Sequence, residues 1–156
     1  MIRKAEIKDY DKIMHLWYKT NCIAHNFINS EYWERNYQIV RNQILPQAQT
    51  FVFVDKHQIK GFISVCDCNY VGACFVDGKF QNKRIGQKLV RYVQRRYTQL
   101  QLHVYSLNED AIRFYHKQGF KIINQEMNKN TAQIQLLMCW ALGCPQNRMR
   151  KLLGDS

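Results

Sequence analysis

No stretch of about 18 apolar residues occurs in this chain, so no single helix in it has the length and apolarity to cross a bilayer. The opening Met-Ile-Arg-Lys-Ala-Glu leads into a charged segment without the apolar core of a signal peptide. Cysteine occurs six times, at 22, 66, 68, 74, 139 and 144, with no framework spacing. A chain of this size folds without disulfides. Cys66-Asp67-Cys68 lacks the two-residue gap of a zinc knuckle, and no second pair matches it, so no metal is expected. The cysteines read as reduced, mostly buried thiols of a cytoplasmic protein. No internal repeat or linker interrupts the chain. Acids are scarce: 12 Asp and Glu stand against 23 Lys and Arg, a net charge of +11. That balance favours anionic partners and says nothing about fold.

The 156 residues make one domain, and 46% hydrophobic content is globular. Residues 2–7 alternate weakly and read as a strand. Asp9 is placed to cap a helix over roughly 10–20, with Tyr10, Ile13, Met14 and Trp17 on one face. A polar and aromatic connection over 21–30 contains His25. Ser30 is the expected cap of a second helix, with Glu31 and Glu34 in its first turn, and Pro46 is expected to end it. Residues 51–76 read as three antiparallel strands, with a turn at 55–58 and Gly61 as a bulge. A helix follows over 85–97, then a strand over 100–105. Phe120–Ile123 and Ala132–Trp140 form a closing pair around Asn128-Lys129-Asn130. The order is β-α-α-β-β-β-α-β-α-β-β, a mixed α/β (α+β) class with a largely antiparallel sheet flanked by helices. The domain is assigned to 1–140. Residues 141–156 are assigned to a C-terminal tail with one helical turn.

Two stretches carry chemistry. Asp77 to Lys88 joins a strand to a helix N-terminus, where unbonded N–H groups and the positive dipole end favour an anion. Between 79 and 96 there are seven basic residues and no acidic one. A pyrophosphate fits this arrangement. A solvated basic helix face with general nucleic-acid affinity fits it too. The second stretch, Val104 to Phe120, reads as strand, turn and helix. Asn108 is placed as the N-cap, Glu109 and Asp110 fall in the first turn, and Gly119 is placed to end the helix.

The pattern V-Y-x-x-N-x-x-A-x-x-F-Y-x-x-x-G-F resembles the C-terminal motif of the GNAT acetyltransferases. Gln81-x-x-Arg84-x-Gly86 resembles their pyrophosphate loop, Q/R-x-x-G-x-G/A. Arg84 stands where the family has its first glycine. It either keeps the loop conformation and adds a guanidinium to the phosphates, or weakens coenzyme A binding. Trp17…His25-x-Phe27-Ile28…Tyr32-Trp33 is similar to small bacterial members of the YiaC and YjaB type. The element order also matches the GNAT fold, and the resemblance covers most of residues 1–140.

The resemblance implies transfer of an acetyl group from acetyl-CoA to a primary amine by direct attack in a ternary complex, without metal. It places the carbonyl-oxygen donor and the pantetheine pairing at Phe75 and Val76. The phosphates fall to Gln81, Asn82, Lys83, Arg84, Ile85, Gly86, Gln87 and Lys88. Tyr115 is assigned to the departing thiolate. Asn108 either touches the coenzyme arm or only caps its helix. His25, Glu31, Glu34, Asp67 and Tyr70 lie on segments that flank the acceptor in this family. A lone His in an aromatic connection is more often structural. The implied acceptor is a protein lysine or N-terminus, with a small-molecule amine second. The net charge disfavours a strongly cationic acceptor. Two other readings compete: a nucleic-acid- or ribosome-binding module using the basic 79–96 helix, and a GNAT-fold protein that binds coenzyme A without catalysis. Monomer and homodimer both stay open, and no membrane partner is expected.

Overall fold

Strand-forming and helix-forming segments follow each other in the order that the hydrophobic pattern sets out. The computed structural model describes residues 1–81 and 83–143. Asn82 and the helical turn expected in the 141–156 tail lie outside the described residues. The chain divides into two compact units between Leu89 and Val90.

The first unit contains β1 (Ile2–Lys4), α1 (Tyr10–Ala24), α2 (Ser30–Ile39), β2 (Gln49–Asp55), β3 (Gln58–Cys66) and β4 (Tyr70–Val76). β2 pairs antiparallel with both β1 and β3, and β3 with β4. α1 packs on β3 and β4. The buried face of α1 is Ile13, Met14, Leu16 and Trp17, and Val52, Phe62 and Ile63 are buried in the strands. Burying each such side chain contributes about 2 kcal/mol.

Local details differ from the sequence reading where tertiary partners compete. β1 stops at Lys4, and a 3-10 turn occupies Ile7–Asp9. Asp9 precedes α1 but does not cap it through its side chain. Its buried carboxylate instead takes both guanidinium nitrogens of Arg3, at 2.7 and 3.0 Å, and the Glu6 N–H at 2.8 Å. The Arg3 hydrogen bonds hold this carboxyl below the usual range. Asn29, not Ser30, caps α2, accepting from the Glu31 N–H at 3.0 Å. Pro46 does not push its neighbour out of helical space. Leu45 stays right-handed helical as the chain runs through a π turn (Val40–Ile44) and a 3-10 turn (Leu45–Gln47). The chain becomes extended only at Ala48.

The β2–β3 hairpin turns through Lys56 (φ 50°) and His57 (φ 64°), the two positive φ values of a type I′ turn made without glycine. Gly61 faces Phe53 across the ladder, whose register slips between Phe53 and Val54. A Cβ at Gly61 would lie 2.9 Å from the Phe75 carbonyl oxygen and 3.3 Å from both Ile85 and Leu89. Gly61 is thus fixed by close packing of backbone and helix, beyond its place beside the bulge.

α3 (Ile85–Gln94) leads across the division into the second unit, ending three residues short of the expected 97. There follow β5 (Gln99–Tyr105), α4 (Glu109–Lys117), β6 (Lys121–Asn128) and β7 (Gln133–Ala141). β7 pairs antiparallel with both β5 and β6. Leu100, Leu102 and Val104 of β5 lie opposite Trp140, Met138 and Leu136, and most of these are fully buried. β6 runs five residues beyond the expected Ile123. Asn124-Gln125-Glu126 has no apolar alternation to announce a strand, because β6 is exposed along nearly its whole length. The element order and the mixed, mostly antiparallel class are those read from the sequence.

Candidate functional site

β4 delivers the chain into a loop that its own side chains brace. Phe75 and Val76 are half-buried at the strand end. Asp77 is buried. Its N–H donates to the Lys60 carbonyl at 2.9 Å, and its carboxylate accepts from the Lys79 N–H at 3.1 Å. Lys12 of α1 lies 3.9 Å from the same carboxylate. The Gln81 side chain donates back to the Val76 carbonyl at 3.4 Å. The Lys60 ammonium sits 4.3 Å over the Phe80 ring and 2.8 Å from Asp55. Lys12 and Lys60 have no signal in the loop sequence, since each arrives from a distant element.

Arg84 has φ 61°, a left-handed conformation that costs a non-glycine residue about 1–2 kcal/mol. The residue that replaces the family glycine therefore adopts glycine-like backbone geometry. Its carbonyl accepts from the Lys88 N–H at 3.0 Å, closing the first turn of α3. The N–H groups of Ile85 and Gly86 precede any intrahelical acceptor and point out of the helix start. Lys79, Lys83, Arg84 and Lys88 are exposed around this end, while Gly86 and Gln87 are half-buried. The Ile85 side chain is buried against Gly61, so only its backbone is available to a ligand. Backbone donors, a helix dipole and four solvated cations fit a pyrophosphate.

In the second unit, α4 is fixed at both ends. The Asn108 side chain accepts from the Ala111 N–H at 3.3 Å, as an N-cap does. At the far end Gly119 has φ 94°. Its N–H donates to the His116 carbonyl, and the Phe120 N–H to the Tyr115 carbonyl, both at 3.0 Å. This is the Schellman arrangement. Tyr115 is half-buried, its ring 5.0 Å from Phe114 and 5.6 Å from Phe120.

The residues expected near an acceptor all lie in the first unit. Glu31 and Glu34 are exposed on α2, Asp67 is exposed in the β3–β4 turn with φ 45°, and Tyr70 opens β4 half-buried. His25 is different. It is buried, its Nδ1 lies 3.0 Å from the Asn21 side-chain oxygen, and Trp33 and Phe27 flank its ring. Burial pulls its pKa down to about 4, so it is neutral near pH 7 and a weak base. Sequence pattern does not announce the Tyr18–Glu34 pair, in which the Tyr18 hydroxyl of α1 donates to the Glu34 carboxylate of α2 at 2.9 Å. That bond to a carboxylate is the main reason the Tyr18 phenol is pushed up to about 12. Cys22, Cys66, Cys68, Cys74 and Cys139 are not in disulfides. No helix among the described residues is long and apolar enough to cross a membrane.

The model of the acetyltransferase (GNAT) domain family matches residues 14–136. The chain belongs to the GNAT acetyltransferases. It is 34% identical over 140 residues to the peptidyl-lysine N-acetyltransferase YiaC of Escherichia coli K12, covering 90% of this chain and 96% of that protein. It is 28% identical over 122 residues to YjaB of the same strain, also a peptidyl-lysine N-acetyltransferase, covering 78% and 82%. The solution structure of apo YjaB from Escherichia coli superposes with a TM-score of 0.78 at 24% identity, over 90% of this chain and 96% of that one. The fold is that of GNAT enzymes, and the chain is an acetyl-CoA-dependent N-acetyltransferase.

Proposed function

We propose that this enzyme acetylates the ε-amine of protein lysines, with protein N-termini and small amines as lesser acceptors. The observation that carries the reading is the left-handed Arg84 at the start of α3. Arg84 takes a left-handed backbone at the position where the family's pyrophosphate loop has a glycine, which supports coenzyme binding at this helix start. Resemblance to two peptidyl-lysine N-acetyltransferases supports the acceptor class. The family model, spanning both units, supports a single catalytic domain over 1–140, and described cysteines outside any disulfide agree with a cytoplasmic setting.

In this reading the lysine ε-ammonium first gives a proton to a base, and the neutral amine attacks the thioester carbonyl carbon. The oxyanion accepts a hydrogen bond from backbone N–H in the Phe75–Val76 segment. The C–S bond then breaks, and the acetyl group stays on nitrogen. The Tyr115 hydroxyl donates to the departing thiolate. A phenol near pKa ~10 is a weaker acid than a thiol near ~8.5, so hydrogen bonding outweighs full proton transfer. The nitrogen of the tetrahedral intermediate, still cationic, gives its extra proton to a base as the amide forms. Gln81, Asn82, Lys83, Arg84, Gly86, Gln87 and Lys88, with the Ile85 backbone, hold the phosphates. Asn108 serves its helix cap and the coenzyme arm. Glu31, Glu34, Asp67 and Tyr70 lend negative potential and hydrogen bonds to a cationic acceptor, and His25 supports their segment from within.

The test is release of coenzyme A thiol from acetyl-CoA. The panel contains a lysine peptide with a blocked N-terminus, a lysine-free peptide with a free N-terminus, spermidine and an aminoglycoside. Fastest release with the lysine peptide is expected. Preference for spermidine would overturn the acceptor assignment. Thermal stabilisation by RNA and not by acetyl-CoA would overturn the catalytic reading.

A further inference from the structure

Acetyl transfer to an amine needs a base for the protons of the attacking nitrogen. The groups on the expected acceptor segments serve it badly. His25 is buried, with its pKa pulled down to about 4. Glu31, Glu34 and Asp67 are exposed carboxylates, and carboxylates as a class are weak bases. An imidazole paired with a carboxylate stands elsewhere, on the strand that leads into the α4 motif.

β5 and β6 flank β7. His103 and Tyr105 of β5 lie opposite Leu137 and Gln135 of β7, which in turn lie opposite Asn124 and Glu126 of β6. Opposed and alternate residues point the same way, so all six share one face. Leu100, Leu102 and Val104 are buried on the other. His103 reaches diagonally over β7, and its Nε2 lies 3.3 Å from Glu126 Oε1. The two side chains are 25% and 45% exposed. A pair so open to water adds little to stability, so folding does not account for it. The face is closed at Tyr105, which is buried, and half-open at His103. Its other titratable side chains are Cys139, whose thiol is pushed up by burial, and Lys121 opposite it. β5 ends two residues after His103, and the chain passes to Asn108 and then to α4 with Tyr115. The strand thus hands over directly to the residues assigned to the coenzyme arm and the thiolate.

We propose that His103 is the catalytic base of acetyl transfer and that Glu126 is its positioning residue. A neutral imidazole has one donor and one acceptor nitrogen, and a hydrogen bond at one of them selects the tautomer. With Nε2–H donating to the Glu126 carboxylate, the lone pair lies on Nδ1. Nδ1 takes a proton from the lysine ammonium, and the imidazolium passes it to water. The neutral amine then attacks, its lone pair forming the C–N bond. As the C–S electron pair goes to sulfur, the extra proton on nitrogen leaves by the same route. The imidazole ends each step neutral, while Glu126 stays ionised and steadies the imidazolium when it forms. Histidine as a residue type titrates in the range where such a base is useful. The assignment rests on the acetyl-transfer reading and supplies the base that this reaction requires.

The test is release of coenzyme A thiol from acetyl-CoA with the N-terminally blocked lysine peptide, followed across pH. Wild type is compared with His103→Ala, Glu126→Gln and the double variant. Calorimetric Kd for acetyl-CoA controls for folding, and His103→Gln, which keeps a polar side chain beside Glu126, is run alongside. His103→Ala is expected to lower kcat about 10²-fold with Kd unchanged. Its kcat/KM should keep rising with pH until the peptide amine is itself neutral, and added imidazole should restore part of the rate. Glu126→Gln is expected to lower kcat about tenfold alone and not at all in the His103→Ala background, because residues that act as a unit are not additive. A merely structural role would give additive losses. Wild-type kcat in His103→Ala, a pH profile that this variant leaves unchanged, or an equal loss from Glu126→Gln in both backgrounds would overturn the proposal and leave the acetyl-transfer reading standing. A wild-type chain that releases no thiol with any acceptor would overturn both.

Discussion

The backbone N–H of Phe120 donates to the carbonyl of Tyr115 at 3.0 Å, and their rings lie 5.6 Å apart. Hydrogen bond and ring contact are the two halves of one helix-ending device. The device also fixes the residue assigned to the thiolate. The F-Y-x-x-x-G-F motif thus has a local physical reason for its spacing: the glycine turns the chain so that the last Phe can reach back to the Tyr.

Removing only the hydroxyl tests the chemical role of Tyr115. In Tyr115→Phe, kcat should fall by at least about tenfold, which corresponds to 1.4 kcal/mol in the barrier. The Kd for acetyl-CoA, from calorimetry, should hardly move. Wild-type turnover in this variant would remove Tyr115 from the mechanism.

Gly119→Ala tests the device that holds it. A side chain at φ 94° costs roughly 1–2 kcal/mol, and at this chain length a melting temperature falls by about 2–4 °C per kcal/mol. A drop of that order is expected by calorimetry. Turnover should fall with it, because the Tyr115 carbonyl loses its anchor.

Arg84 separates backbone from charge. Arg84→Gly releases about 1–2 kcal/mol of strain and gives back roughly 0.4–1 kcal/mol through a freer unfolded chain. It should therefore be at least as stable as wild type, whereas Arg84→Ala keeps the strain. If the guanidinium meets the phosphates, both variants lose about tenfold in acetyl-CoA affinity at low salt. The difference from wild type narrows as salt rises. Equal affinity in Arg84→Gly and wild type would show that the arginine serves only the turn.

The element order was legible in the sequence because each core element states its own periodicity, as Ile13, Met14 and Trp17 do in α1. What the sequence hid was set by partners far along the chain. Asp9 looks like a cap until Arg3 reaches its carboxylate. Asn29 and Ser30 are adjacent residues of equal capping ability, and pattern alone does not choose between them. Gly61 reads as a bulge, but the carbonyl of Phe75 and the side chains of α3 are what exclude a Cβ there. The strand end, basic loop and helix start of the site were legible as a unit, and so was the α4 motif. The burial of His25 was not, since it depends on the Trp33 and Phe27 rings meeting around it.

Gly61→Ala follows from that packing. Its Cβ would come within 2.9 Å of a backbone oxygen, which has no rotamer through which to yield. Overpacking of this kind costs about 1–3 kcal/mol, to be read as a lower urea midpoint. The displaced groups are Phe75, Ile85 and Leu89, which bracket the loop. Acetyl-CoA affinity should therefore weaken with stability, although residue 61 touches no ligand. A variant with lowered midpoint and unchanged affinity would show that the loop is held independently of β3.

His25 predicts a pH dependence of stability with a definite sign. Its folded pKa, about 4, lies below the ordinary value near 6.5. Between these values the unfolded chain binds a proton that the folded chain refuses. The stability of the fold is then complete above about pH 6.5 and is lost as pH falls toward 4, at up to about 1.4 kcal/mol per pH unit. The window from about pH 6.5 to 5 isolates the effect, because it lies above the ordinary carboxylate range near 4. Urea unfolding across that window should show a loss of roughly 2 kcal/mol in wild type beyond that in His25→Phe. Parallel pH profiles for the two proteins would mean that the imidazole accepts its proton in the folded state, and with it that this histidine is open to solvent and acceptor after all.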